Sequence, residues 1–165
     1  MKIRNEVWAG DITYLKTPEG WLYLAIVMDL YSRRIVGWHL STRIDSTLIS
    51  KALMKAYNLR HPSRGCVFHS DRGSQYTGGH YQALLKSYDM RPSQGDVGAC
   101  WDNAVVERFF GSLKHDWLFK KTHPTREEMK QDVLDYLYYY NVTRLHTANN
   151  HLSPVEYENS FRKVS

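Results

Sequence analysis

Three acidic residues, Asp11, Asp71 and Glu107, have the type and the settings for divalent-metal chemistry. Asp11 sits inside an otherwise apolar, strand-like run from Trp8 to Tyr14, where an unpaired charge is costly unless a partner or a cation offsets it. Hard cations take carboxylate oxygens gathered from different elements, and two of them side by side stabilise the attacking and leaving oxygens of an in-line displacement at phosphorus. Asp71 taken alone reads as a turn residue before Arg72 and Gly73, but it ends a short inner strand, where open α/β sheets place their ligands. Glu107 follows after thirty-five intervening residues and shares a helical stripe with Asn103, Gly111 and Lys114, beside an apolar stripe of Val106, Phe110, Leu113 and Trp117. Asp29, Asp45, Asp96 and Asp102 read as turn or cap residues instead, with Asp102 capping the helix of Glu107. His69 and Ser70 are neighbours in an extended segment and point to opposite faces, so they form no nucleophile–base pair. The histidines lack zinc-site spacing.

The elements that must position these acids follow from periodicity. Residues 7–15 read as a strand, 16–20 as a turn, 21–30 as a second strand and 34–40 as a third, which together make an antiparallel meander. Asp45 and Ser46 then cap a helix whose core stripe is Leu48, Ala52, Leu53, Ala56 and Leu59. A short strand over 66–69, a helix over 79–89 and an edge strand over 90–93 come next. The glycine-bearing stretch 94–100 reads as a mobile loop, 102–119 as a long helix, and Thr125 with Glu128 as the capping box of a last helix ending near Tyr140. This order is that of a mixed α/β domain rather than a doubly wound parallel one.

Composition sets wide bounds. The chain has 165 residues, a formal net charge of +5 and a pI near 9.2, which suits one domain and a polyanionic partner. Two isolated cysteines exclude a disulfide framework and fit a reducing cytoplasm. The longest apolar stretch, Trp21 to Met28, is less than half of a membrane span.

Three phrases carry a family resemblance: His69-Ser-Asp-Arg-Gly-Ser-Gln-Tyr76, Trp101-Asp-Asn-Ala-Val-Val-Glu-Arg-Phe-Phe110 and Tyr140-Asn-Val-Thr-Arg-Leu-His146. The chain resembles the catalytic core of DDE transposases of the retroviral-integrase superfamily, specifically the OrfB-type transposases of the IS-three family of bacterial insertion sequences. The resemblance spans Trp8 to Tyr157 and implies an RNase H-like fold across residues 1–165, with the preceding helix-turn-helix region absent from this chain. It implies that Asp11, Asp71 and Glu107 are the catalytic carboxylates and metal ligands, with Asp11 bridging two Mg²⁺ ions for which Mn²⁺ substitutes. Lys114, Asn103, Arg72 and Gln75, and more weakly Tyr76, correspond to DNA contacts. The implied activity is cleavage at DNA 3′ ends followed by strand transfer, on terminal inverted repeats and target DNA, by a homo-oligomer in the bacterial cytoplasm. Asn141, Arg144 and His146, followed by Ser153 and Pro154, are typical of the family and read as packing residues of the C-terminal segment in preference to DNA contacts. Two departures, Ser93-Gln-Gly-Asp-Val-Gly98 and Lys114-His-Asp116, bear on loop–DNA contacts and leave the three acids intact. A nuclease of the same fold and a non-catalytic DNA- or partner-binding remnant stay open as alternatives.

Overall fold

The computed structural model describes residues 3–71, 73–93 and 99–162. Arg72 and residues 94–98, with Asp96 and most of the expected mobile loop, lie outside the described residues. Strands β1 (Val7–Thr17), β2 (Gly20–Asp29) and β3 (Ile35–Ser41) form the expected antiparallel meander. β1 runs two residues further than its alternation suggests. Thr17 pairs with Gly20 across a two-residue loop, and Gly20 takes φ 126°, a conformation that suits glycine. Strands β4 (Val67–His69) and β5 (Arg91–Ser93) add in parallel, giving a five-stranded sheet of order β3-β2-β1-β4-β5.

The helices cover both faces. α1 (Ser46–Arg60) is capped by the Asp45 carboxylate, which accepts from the Leu48 amide at 3.1 Å. A single turn, α2 (Ser74–Thr77), precedes α3 (Gly79–Ser87); α4 (Ala99–Ser112) and α5 (Arg126–Val142) follow, and α6 (Pro154–Arg162) closes the chain. Along β2, Leu22, Leu24, Ile26 and Met28 face α4 and α5, while Ala25 and Val27 face α1 and α3. A strand that alternates between two cores must be covered on both sides. The result is a three-layer sandwich of helix, sheet and helix. Gly37 lets α1 lie close on β3, because a side chain there would meet the Ala52 carbonyl and Ala56.

Several expectations need correction. Leu59 is half exposed, and Arg60 turns inward in its place to reach Asp29 and Glu158 at 2.7 and 2.5 Å. α4 starts at Ala99, so Asp102 lies in its first turn and is not its cap. The helix also does not run evenly to Phe119: it widens into a π turn over Leu113–Trp117 and tightens into a 3₁₀ turn over Leu118–Lys120. There the Trp117 indole donates to the Asp132 carboxylate of α5 at 2.7 Å, a side-chain bond that period 3.6 does not anticipate. Neither α2 nor α6 was expected. Among the described residues no helix is long and apolar enough to cross a membrane.

Candidate active site

Strand register brings two of the acids level. β1 and β4 run in parallel with Ala9 opposite His69, so two residues further on Asp11 comes level with Asp71 just past the end of β4. Two steps along both chains keep both residues on one side of the sheet. Glu107 arrives from α4, whose Val106, Phe109 and Phe110 are buried against the same sheet and fix the helix in rotation. Glu107 itself is exposed, and its carboxyl reaches the Asp11 carboxyl in a hydrogen bond.

That meeting changes Asp11. Burial, then the hydrogen bond to Glu107 and the charges of Glu107 and Asp71, push its carboxyl up to about 8, against the Ile12 amide that donates to it at 2.8 Å. At neutral pH, with no cation present, the proton-bearing form of Asp11 is therefore favoured. Asp71 stands further off and is exposed, with its Oδ1 accepting from the Gly73 amide at 2.8 Å. Among the described residues no three histidine, cysteine, aspartate or glutamate side chains close on a single ion position. The arrangement is a joined pair with a third carboxylate facing it.

The other expected site residues are placed unevenly. Gln75 is half-buried on α2, next to Gly73 and Asp71. Asn103 is half-buried one turn before Glu107. Lys114 falls in the π turn and lines a different cavity, beside Tyr14 and Trp21 of the β1–β2 hairpin, rather than the groove of Glu107 and Gly111. Tyr76 is a core residue and not a surface contact: α2 turns its ring inward against Phe68 and Tyr81. His69 and Ser70 are both buried, and neither ring nitrogen of His69 has a partner among the described residues. Asp29 bonds turn amides as expected, accepting from Asn5 and Tyr31 at 2.9 and 3.0 Å, but it is also fully buried against Arg60. The packing role read for the C-terminal motif holds for Asn141, which both accepts from the Ile35 amide (2.9 Å) and donates to its carbonyl (3.0 Å).

An integrase core domain profile matches residues 2–100, and a second of the same description matches residues 107–161. The chain belongs to the integrase core domain family. This integrase core is 46% identical over 156 residues to the transposase InsF for insertion sequence IS3A of Escherichia coli, covering 94% of the chain and 54% of InsF. It is 39% identical over 155 residues to the transposase for insertion sequence element IS904 of Lactococcus lactis, covering 93% of the chain and 61% of that protein. The chain thus spans little more than half the length of these relatives. Among solved structures, the HTLV-2 integrase catalytic core domain in complex with magnesium superposes with a TM-score of 0.74 at 18% identity, covering 93% of this chain and 96% of that one. The simian T-cell lymphotropic virus intasome in complex with the PP2A regulatory subunit B56 gamma gives a TM-score of 0.77 at 20% identity, covering 93% of this chain and 54% of that one. These likenesses establish the RNase H-like fold.

Proposed function

We propose that this chain is the catalytic domain of a DDE transposase, which cleaves DNA at the 3′ ends of an insertion sequence and transfers those ends to target DNA. The observation that carries the reading is that Asp11 from β1, Asp71 after β4 and Glu107 from α4 lie near one another on one face of the sheet, beside the carboxyl end of β4. The donor set fits Mg²⁺ or Mn²⁺: all three groups are carboxylates, and Asp11 holds a proton where a cation would supply the same neutralisation. Divalent ions bound there would activate the attacking oxygen and stabilise the departing one. Asp11, Glu107 and Asp71 are the residues that would hold the ions, Asp11 and Glu107 as a joined pair and Asp71 beside them. In the first reaction a water oxygen attacks phosphorus and the bond to the 3′ oxygen breaks, leaving a DNA 3′-OH. In the second, that hydroxyl attacks another phosphodiester, one P–O bond replaces another, and no covalent enzyme intermediate forms. Asn103, Arg72, Gln75 and Lys114 contact the DNA in this reading, and the working form is an oligomer in the bacterial cytoplasm, as expected for a relative of insertion-sequence transposases and of a protein that works within an intasome.

The test is a strand-transfer assay with labelled ends of the parent element, a target duplex, and Mg²⁺ or Mn²⁺. Wild type is expected to release a 3′-OH and join it. Asp11→Asn, Asp71→Asn and Glu107→Gln are each expected to lose both steps while keeping DNA affinity, which lysine and arginine contacts to phosphate dominate. Cleavage without joining would make the chain a nuclease of this fold, and joining by the Asp71→Asn variant would remove Asp71 from the site.

A further inference from the structure

A small pocket of about 180 Å³ opens between α4, the end of α5 and the β2–β3 turn, and the motif residues with no part in the carboxylate site meet there. Arg33 comes from the turn, Arg108 and Ser112 from α4, and Tyr140, Arg144 and His146 from α5 and the segment after it. No acidic residue lines the pocket. Among the described residues none of the three arginines is ion-paired with a carboxylate. Glu107 and Asp116 line the open groove next door, which shares Arg108 and Ser112 with the pocket. The pocket therefore continues into the face of α4 that carries Glu107.

Gathering three guanidinium groups without a counter-ion is unfavourable. Burial and the charge of Arg108 pull Arg33 below its ordinary range. Arg33 takes φ 65° as part of the β2–β3 turn, where its amide donates to the Asp29 carbonyl. His146 completes the lining. It is nine-tenths buried, and its Nδ1 faces the Arg144 Nη1 at 3.5 Å. Arginine can only donate, so Nδ1 is the acceptor and a neutral imidazole carries its proton on Nε2. That Nε2 is buried and has no hydrogen-bond partner among the described residues. Guanidinium forks match the oxygens of a phosphate group, and the imidazole ring beside them reports on their occupancy.

We propose that this pocket binds a backbone phosphate of DNA, as an anchor separate from the three carboxylates. The choice of DNA as the source of the phosphate rests on the transposase reading; the fit to a phosphate group rests on the pocket alone. The strand would run from the Glu107 face along the groove, past Arg108, and into the pocket.

The test follows the His146 ring by NMR while inorganic phosphate, and separately a short DNA duplex, is added to wild type, Arg33→Gly and Arg108→Ala. The salt dependence of duplex binding is measured on the same three proteins. Both additions are expected to shift the His146 ring in wild type. Each variant is expected to weaken both responses and to flatten the slope of log K against log salt by about 0.9, the loss of one phosphate contact. Glycine relaxes φ 65°, so Arg33→Gly should melt no lower than wild type, which separates a lost contact from a damaged fold. A His146 ring indifferent to both additions overturns the proposal, as does an unchanged slope in both variants. A response to inorganic phosphate without one to the duplex makes the pocket a free-anion site and overturns the assignment to DNA. Flattened slopes in a protein that performs no strand transfer would sink the transposase reading and leave the DNA anchor standing.

Discussion

Asp11 and Asp29 are both carboxylates set in strands, and their surroundings give them opposite parts. Asp11 has two acids for company and keeps a proton. Asp29 is fully buried, accepts from two backbone amides, and meets the Arg60 guanidinium at 2.7 Å. Arg60 also binds Glu158, which takes a further bond from Ser32 at 2.6 Å. Burial alone would raise Glu158, but the bonds from Arg60, Ser32 and Arg34 outweigh it and hold its carboxyl below the usual range. This buried network ties α1, the β2–β3 turn and α6 together. Asp29→Asn sets an amide donor among donors, and we expect it to cost about 2–4 kcal/mol in a urea titration. The loss should be the same with and without Mn²⁺, and the folded fraction should retain strand transfer. A stable but inactive Asp29→Asn protein would move the metal assignment toward Asp29.

Between elements, the edge strand β3 is held by one side chain of α5. Asn141→Leu removes both bonds to the buried Ile35 backbone, and it is expected to lower stability by about 2–3 kcal/mol, with Asn141→Asp losing at least as much because its carboxylate would face the Ile35 carbonyl. Equal stability of Asn141→Leu and wild type would mean that β3 finds other partners. The segment after α5 has its own pH signature. Burial, then the charges of Arg144 and Arg33, push His146 down to about 4 from an ordinary 6.5. Between those values the unfolded chain takes up a proton that the folded chain refuses, so this group lowers stability as pH falls from 6.5 towards 4, by an amount on the order of 2 kcal/mol. Urea midpoints of wild type and His146→Gln across that window should converge as pH falls; parallel curves would contradict a neutral buried imidazole.

These tertiary ties explain what the sequence disclosed and what it hid. The meander, α1, α3 and α5 have clear periods, and α1 and α5 also have caps, since Asp45 and Thr125 both accept the amide three residues on. The π turn after Ser112 was hidden because a bond from Trp117 to another helix decides it. Among the described side chains α6 turns a carboxylate, Glu158, into the interior, a pattern that apolar periodicity does not reveal, yet its start was written in Ser153 and Pro154. The Ser153 hydroxyl accepts from the Glu156 amide at 3.2 Å, and proline suits the first helical position. In the candidate site, Asp11 was legible as a charge in an apolar strand, whereas Glu107, which alone reads as a solvated helical residue, stood out only through the family motif around it. The arginine pocket was not, since Arg33 and Arg108 meet only through the packing of the β2–β3 turn against α4.

At the scale of the whole molecule, two cores on opposite faces of one sheet hold the acids in place. The α4–α5 core fixes Glu107, and the α1–α3 core, with Phe68 and Tyr76, fixes β4 and the chain leading to Asp71. Under the transposase proposal, crowding three carboxyl groups together costs stability, in charge repulsion or in proton uptake, which a bound cation would relieve. The most direct test is a paired thermal melt of wild type and Asp11→Asn, in chelator and in saturating Mn²⁺. Binding to the folded state alone stabilises by about 2.7 kcal/mol at a hundredfold excess over Kd, so wild type should melt several degrees higher with the ion. Asp11→Asn should match or exceed wild type in chelator, because a neutral amide needs no proton uptake to sit beside the other acids, and should gain little from Mn²⁺. A wild-type chain that shows no shift with Mn²⁺, or an Asp11→Asn variant far less stable than wild type in chelator, would make Asp11 a structural hydrogen-bonding residue and not a metal ligand.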